Sequence, residues 1–162
     1  TVVSLVSMPE SRNHQRLKSA LIELSDAKQW NFAKAEWGLE RIYVIEDWEE
    51  LDACSCGKYP IKEVCIISNS KNHNTAIVGN CCVKKFLGHI DTWNVVEWLT
   101  RIIKNPELWP SESLIEYCYA KKILNNWEYE FTRDRYWSKK FSSKQLDTRV
   151  RINKKIIQNL KK

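Results

Sequence analysis

A cluster of cysteines in the first half of the chain constrains its fold more than any other sequence feature. Four thiolates that converge tetrahedrally are the usual ligands of a structural zinc ion. A Cys-x-Cys-Gly turn supplies two of them, because the glycine can take a positive φ without steric cost. The spacing therefore predicts a zinc site rather than disulfides. The candidate ligands are Cys54, Cys56, Cys65 and one of the adjacent pair Cys81 and Cys82.

Adjacent residues seldom both point at one ion, so one of Cys81 and Cys82 is spare. Cys82 is expected in the first turn of a helix, where the helix dipole lowers the pKa of a thiol. His73 or His89 replacing a cysteine is the alternative for one position. Four thiolates would saturate the ion, whereas a catalytic ion keeps a position open and needs a nearby base, for which Glu63 is the candidate. We expect the saturated, structural site.

The segment that contains these cysteines resembles a small zinc-binding module found in uncharacterised bacterial, phage and mobile-element proteins. The matching stretches are Cys54-Ser-Cys56-Gly57, residues 61–69 and residues 77–86. The ligand positions that the resemblance implies are Cys54, Cys56, Cys65 and Cys82, with Cys81 in a variable position. The order of knuckle, hairpin and helix is that of a treble clef. More weakly, residues 126–131 and 141–145 resemble segments of proteins that handle nucleic acid.

Hydrophobic periodicity predicts an α+β fold, mainly helical, with a small antiparallel hairpin sheet clasped by zinc. Ser11 is a candidate N-cap for a first helix from residue 12 to about 28. A strand follows over residues 37–46, and residues 64–68 and 75–78 form a hairpin. Ser111 and Ser143 are further candidate N-caps. The later helices are predicted over residues 82–87, 92–103, 111–123, 126 to about 140, and from 143 onward.

Length and composition favour one compact unit. The chain has 162 residues, of which 43% are hydrophobic and eight are Trp. Within it we distinguish an N-terminal helical segment (1–36), a zinc-binding module (37–90) and a basic helical region (91–162). No stretch approaches the roughly 20 apolar residues of a membrane-spanning helix. We expect a soluble, cytoplasmic protein with reduced thiols.

Charge is distributed very unevenly along the chain. Residues 1–83 carry 9 Lys and Arg against 11 Asp and Glu, whereas residues 84–162 carry 17 against 9. Near the C-terminal end, cations alternate with aromatic residues. Cations attract phosphates, and aromatic faces stack on unpaired bases. The combination predicts a nucleic-acid-binding surface. The candidate binding residues are Arg133, Arg135, Lys139, Lys140, Lys144, Arg149, Arg151, Lys154 and Lys155.

A plainer interpretation of the same region is a helix with a buried apolar face and a solvated basic face. The near absence of acidic residues after Glu130 favours nucleic acid, DNA or RNA, as the partner. The prediction is a non-catalytic, zinc-stabilised nucleic-acid-binding protein. The alternative is an adaptor or inhibitor of a larger nucleic-acid-processing protein, with Trp93, Trp98 and Trp109 as its hot spot. A nuclease using the acidic loop of Asp47, Glu49, Glu50 and Asp52 is the least improbable enzyme.

Overall fold

The computed structural model describes residues 9–87, 91–136 and 138–162. Within these ranges, helices pack around a three-stranded antiparallel sheet, so the predicted α+β class is confirmed. The strands are β1 (Trp37–Val44), β2 (Glu63–Asn69) and β3 (Thr75–Gly79). The α-helices are α1 (Arg12–Glu23), α2 (Trp30–Ala33), α3 (Asn80–Val83), α4 (Thr92–Lys104), α5 (Glu112–Ala120), α6 (Asn126–Asp134) and α7 (Ser143–Leu160).

The sheet has β2 at its centre, between β1 and β3. The predicted hairpin is present as β2 and β3, and β1 pairs along β2 with a bulge between Leu39 and Arg41. β2 is rich in β-branched residues, which favour a strand, and both Val64 and Ile67 are fully buried. A central strand buried in this way fixes the register of both neighbours.

Serine and asparagine caps begin most of the longer helices. Ser11 and Ser111 are the N-caps of α1 and α5, as predicted, and each side chain accepts a hydrogen bond from the third residue of its helix. For α7 the predicted cap is wrong by one residue: the cap is Ser142, not Ser143. Gln145 explains the shift, because its side chain and the Ser142 side chain bond each other's backbone N–H in a capping box.

Four helices end earlier than the periodicity predicts. α1 ends at Glu23 rather than near residue 28, because the N–H groups of Asp26 and Ala27 donate to the Glu36 carboxylate instead of continuing the helix. α5 ends at Ala120, followed by Lys122 at φ 58°. α6 ends at Asp134 rather than near residue 140. The helix predicted over residues 82–87 is the single turn α3.

One buried cluster runs from Leu17 in α1 to Leu160 in α7. α7 contributes Ile152 and Ile156 to it, both at most 1% exposed. Asn153, also fully buried, donates to the carbonyl oxygens of Pro106 and Leu108 at 2.8 and 2.7 Å. These bonds hold α7 against the loop between α4 and α5.

None of the described helices is both long and apolar enough to cross a membrane.

The strand β1 lies at an edge of the sheet, and groups from outside the sheet bond its backbone. The N–H of Ile42 donates to the hydroxyl of Tyr117 at 3.1 Å. The Lys121 ammonium donates to the carbonyl of Glu40 at 2.8 Å, and the N–H of Lys162 donates to the carbonyl of Val44 at 3.3 Å. Residues in or just after α5 and α7 therefore cover this edge.

Candidate metal centre and nucleic-acid interface

A tight turn between β1 and β2 presents the first two cysteines. The N–H of Cys54 donates to the Lys58 carbonyl at 2.9 Å, and the N–H of Gly57 donates to the Cys54 carbonyl at 2.8 Å. Gly57 has φ 90°, the left-handed conformation expected of it. Ser55 donates through both its N–H and its hydroxyl to the Ile77 carbonyl at 2.8 Å. These bonds fasten the turn to β3.

The turn and α3 bring three cysteines together. The sulfur atoms of Cys54, Cys56 and Cys82 all lie within 4.8 Å of one another, and all three residues are buried and free of disulfides. The Cys54 sulfur also accepts hydrogen bonds from the N–H of Cys56 at 3.5 Å and of Gly79 at 3.2 Å. We refer to these three residues as the cysteine group. Its geometry is compatible with a metal ion.

Hydrogen bonding within the cysteine group separates the pKa values of its thiols. The bond from Cys82, with the backbone N–H donors of Cys56 and Gly79, outweighs burial and lowers the pKa of Cys54 to about 5. The pKa of Cys82 is raised, first because its thiol bonds Cys54 and then because it is buried. The helix dipole expected to lower the pKa of Cys82 is weak, since α3 is a single turn.

Cys65, the fourth predicted ligand, is not in the cysteine group. It is fully buried in β2, where it pairs with Ile42 and Val78. Burial, followed by the charges of Glu63 and Cys54, raises the pKa of its thiol to about 12. Cys65 thus lies in the core on the predicted strand, outside the cysteine group.

The other described sulfur and imidazole candidates are not members of the cysteine group. Cys81 is exposed, consistent with its prediction as the spare member of the pair. His73 is in the turn between β2 and β3, at the opposite end of the hairpin from Gly79. His89 lies outside the described residues. Cys118 is fully buried in α5 and packs in the core.

A cavity of about 220 Å³ lies against the cysteine group. Glu63, at the start of β2, and Asn80, at the start of α3, line it together with Lys58 and Lys62. The Asn80 side-chain amide donates to the Glu63 carboxylate at 3.4 Å. The Asn80 residue is only 4% exposed, yet its carbonyl atom Oδ1 has no hydrogen-bond partner.

Four aromatic rings form a row across the basic region, which we call the aromatic row: Trp127, Phe131, Trp109 and Phe141. Trp127 stacks on Phe131 with centroids 5.4 Å apart, and Trp109 stacks on Phe141 at 5.0 Å. Phe131 and Trp109 are 6.3 Å apart in a tilted arrangement. The indole N–H of Trp109 donates to the Thr132 carbonyl at 3.2 Å. Trp127, at one end of the row, is 55% exposed.

Three of the predicted arginines lie over this row. The guanidinium carbon of Arg151 is 6.0 Å from the Trp127 centroid, and that of Arg135 is 5.4 Å from Phe131. Arg149 is 4.9 Å from both remaining rings. Such contacts stabilise a cation by about 0.5–2 kcal/mol. Sequence reasoning identified the cations and the aromatic residues but not this pairing, because the rings come from three separate segments.

The predicted cations differ in how freely they could reach a phosphate. Arg149 is half-buried, its Nε has no hydrogen-bond partner, and burial lowers its pKa. Lys155 donates to the buried carboxylate of Glu128 at 2.6 Å. Arg135 is half-buried and Arg133 bonds the Tyr129 hydroxyl. Exposed residues with the fewest contacts are the better phosphate ligands: Lys139, Lys140, Lys144, Arg151 and Lys154.

Two open grooves are lined by residues of the basic region. One, of about 660 Å³, runs beside α7 and is lined by apolar Leu146 and Val150 together with Arg151, Lys154 and Lys155, and by the acidic Glu107 and Asp147. The other, of about 750 Å³, lies between α5 and α6 and includes Tyr119 and Trp127. Arg151, which lines the first groove, lies over the ring of Trp127, which lines the second.

The tryptophans predicted as the hot spot of an adaptor do not form one exposed patch, and the acidic loop predicted for a nuclease does not form a metal site among the described residues. Trp93 is 44% exposed, but Trp98 is half-buried and Trp109 belongs to the aromatic row. In the acidic loop, the Asp52 carboxylate accepts a hydrogen bond from the Tyr43 hydroxyl at 2.6 Å and forms an ion pair with the Lys162 ammonium at 3.2 Å. Among the described residues, the cysteine group is the cluster with metal-ligating geometry, and the acidic loop forms none.

A scan of protein-family models and searches of curated proteins and solved structures gave no match to this chain.

Proposed function

We propose that this protein is a zinc-stabilised, non-catalytic nucleic-acid-binding protein that prefers single-stranded DNA or RNA. The observation that carries the proposal is the aromatic row, with arginines over its rings and Trp127 exposed at its end. The resemblance of the cysteine segment suggests a phage, mobile-element or defence origin. A cytoplasmic location would keep its six cysteines reduced.

Zinc is the metal that we propose for the cysteine group. Thiolates are soft ligands that select zinc over magnesium or calcium in reducing compartments. The knuckle, the hairpin and the one-turn helix that hold the three cysteines follow the order of a treble clef. Bound zinc would join the turn after β1 to the helix after β3, and its role in the proposed function is to stabilise this arrangement.

The single-strand preference follows from the shape of the basic surface. Exposed Trp127 offers a flat face on which an unpaired base can stack, worth about 1–3 kcal/mol. Arg151 and Lys154 are exposed and line the groove beside α7, where they could bind a phosphate backbone that passes Trp127. A rigid duplex keeps its bases inside the helix and could use the cations only.

The proposal is tested by titrating labelled single- and double-stranded oligonucleotides into zinc-loaded protein at about 50 and about 200 mM salt. We expect tighter binding of the single strand, with affinity falling at least about tenfold between the two salt concentrations. Equal affinity for duplex and single strand would contradict the stacking role of Trp127. Absence of binding at the lower salt would contradict the nucleic-acid function itself.

Charge reversals at matched positions test whether binding depends on the basic surface or only on the net charge of the protein. Lys139→Glu with Lys140→Glu, and Arg151→Glu with Lys154→Glu, are expected to weaken binding strongly. Lys155 is left unchanged because it bonds Glu128. Lys34→Glu with Lys71→Glu changes the net charge equally at exposed positions of the other half. Equal weakening by all three pairs would indicate attraction by net charge alone.

The second candidate function is the adaptor or inhibitor of a larger nucleic-acid-processing protein. The observation that favours it is the exposure of Trp93, whose ring lies 4.5 Å from the Lys84 ammonium. A partner captured through this patch would remain bound after nuclease treatment and would be lost in Trp93→Ala. Loss of the partner on nuclease treatment would instead support the nucleic-acid function.

A further inference from the structure

The groove between α5 and α6 differs in its charges from the groove beside α7. Glu107 and Asp147 line the groove beside α7 together with its cations. In the groove between α5 and α6, Lys122 is the one charged side chain among the described residues that line it. A nucleotide would therefore meet a cation and no carboxylate on this described wall.

The size and lining of this groove suit a flat ligand. Its volume of about 750 Å³ is within the range of about 300–1,000 Å³ that is usual for small-ligand sites. Ala120 and Leu124 supply apolar surface, and the two rings that line the groove are exposed, Tyr119 by 37% and Trp127 by 55%. Tyr119 stacks on Tyr129 with centroids 4.0 Å apart, which covers one face of its ring. An unpaired base, which stacks on aromatic rings, is a ligand of this kind.

A hydrogen bond fixes the orientation of Asn126, which lines the same groove. The Tyr119 hydroxyl donates to Asn126 Oδ1 at 2.8 Å. An amide side chain has a carbonyl acceptor at one end and an N–H₂ donor at the other. Because the carbonyl end contacts Tyr119, the donor end is left for a ligand. Asn125, which also lines the groove, is engaged as the N-cap of α6.

An N–H₂ donor in the groove distinguishes bases by the groups on their edges. Thymine and uracil carry the acceptor O4 at the position where cytosine carries the donor N4–H₂. The Asn126 N–H₂ group can bond O4, whereas two donors would face each other if cytosine took the same place. The wall therefore favours a base with a carbonyl group at this position.

We propose that the groove between α5 and α6 is a pocket for one unpaired uracil or thymine of the bound strand. The base stacks on an aromatic ring of the groove, Asn126 donates to its O4, and Lys122 binds a neighbouring phosphate. This inference rests on the proposed nucleic-acid function and adds a base preference to it. Trp127 connects the pocket with the aromatic row, because it belongs to both.

The base preference is tested by measuring the affinities of the full chain for oligo(dU) and oligo(dC) strands of about ten nucleotides at about 50 mM salt. We expect the uracil strand to bind about fivefold more tightly, as one hydrogen bond implies. Asn126→Asp should reverse this ratio, because a carboxylate still accepts the Tyr119 hydroxyl but offers cytosine N4–H₂ an acceptor. Asn13→Asp, the same change at an exposed position of α1, is the control and should leave the ratio unchanged.

A second variant tests the orientation of the amide rather than its presence. Tyr119→Phe keeps the ring that stacks on Tyr129 and removes the hydroxyl that holds Asn126 Oδ1. The amide can then turn either end toward the base, so we expect the ratio of the two affinities to fall to about one. Lys122→Gln should instead weaken the binding of both strands equally, since a phosphate contact carries no base information.

The outcomes distinguish this inference from the function on which it rests. Failure of the wild-type chain to bind either strand would contradict the proposed nucleic-acid function and the pocket together. Binding of both strands with equal affinity would contradict the pocket alone. A uracil preference that persists in Asn126→Asp would overturn the role of Asn126. Should that variant fail to fold, a preference that persists in Tyr119→Phe would overturn it instead.

Discussion

The cysteine group and the aromatic row present polar and charged groups in opposite ways. The cysteine group turns three buried sulfurs inward toward one point, while the aromatic row holds its arginines outward over stacked rings. Within the cysteine group the Cys82 thiol bonds the Cys54 sulfur, and the arrangement is compatible with a metal ion. The aromatic row is held by ring stacking and by cation contacts. One region therefore gathers its candidate ligands in the core, and the other presents a ring face and charge at the surface.

The largest expected effect is the loss of the metal. Removing zinc with a chelator, or replacing Cys82 by Ser, should unfold the region around β2, β3 and α3, because structural zinc contributes about 10–16 kcal/mol of apparent binding free energy. Cys81→Ser, at the adjacent exposed position, should leave zinc content and thermal unfolding unchanged. Equal zinc content in both variants would contradict the assignment of Cys82.

The second effect concerns the ion pair beneath the basic surface. Burial would raise the pKa of Glu128, but the hydrogen bonds from Lys155 and the Asn125 N–H, with the nearby positive charges, lower it below the ordinary value of 4.5. Glu128→Gln should therefore lower the free energy of unfolding at neutral pH by about 2 kcal/mol, measured by urea denaturation. Here, unlike at the cysteine group, the chain supplies both partners.

The pH dependence of that variant has a definite sign. A depressed folded-state pKa means that the stabilisation by Glu128 is present above the unfolded pKa and is lost as pH falls through the folded-state pKa. The difference between wild type and Glu128→Gln should shrink below pH 4.5. Glu130→Gln, an exposed neighbour, is the control and should show no difference at any pH. A gap that persists in acid would contradict the ion pair.

A comparable effect on binding, with none on folding, is expected at the aromatic row. Trp127→Ala should weaken single-strand binding by about 1–3 kcal/mol, as the loss of one stacked base implies. Duplex affinity and thermal stability should change little, since Trp127 is 55% exposed. Trp48→Ala, which removes a tryptophan 70% exposed in the acidic loop, is the control. An equal loss of single-strand affinity in Trp127→Ala and Trp48→Ala would contradict a specific role of the aromatic row in binding.

The smallest expected effect tests how tightly the cysteine turn is held. Gly57→Ala places a side chain at φ 90°, and its Cβ would lie 3.1 Å from an Arg16 guanidinium nitrogen. We expect a loss of about 1–2 kcal/mol in thermal unfolding, with zinc retained. Gly38→Ala in β1, where a Cβ meets nothing within 4 Å, should be neutral or slightly stabilising. A neutral Gly57→Ala would indicate that the turn relaxes freely.

The sequence predicts those elements of the fold that depend on local patterns. Strands β1, β2 and β3 and the caps of α1 and α5 follow from β-branched runs and from serine positions. Helix ends are harder, because they depend on distant groups. The end of α1 is set by the Glu36 carboxylate, which follows in the chain only after α2 and is held by the Asn69 amide in β2.

At the candidate metal centre, too, the features set by neighbouring residues are predictable from the sequence, whereas those set by packing are not. Cys54 and Cys56 are recognisable from a turn of four residues, and Cys82 from its place after the hairpin. Cys65 lies on the hairpin strand on which the sequence predicts it, but its sulfur is outside the cysteine group, and that spacing depends on the packing of β2 between its neighbours. Asn80 belongs to the stretch 77–86 that carries the resemblance, but its burial and its unpaired Oδ1 follow from packing that the sequence does not show.

The covered edge of β1 has a consequence for the behaviour of the protein in concentrated solution. An edge strand with free backbone groups is a template on which other chains can add strands and aggregate. Tyr117, Lys121 and Lys162 occupy such groups along β1. The protection holds only while the flanking helices stay docked, so conditions that detach α7 at its Lys162 end should initiate self-association before the sheet itself unfolds.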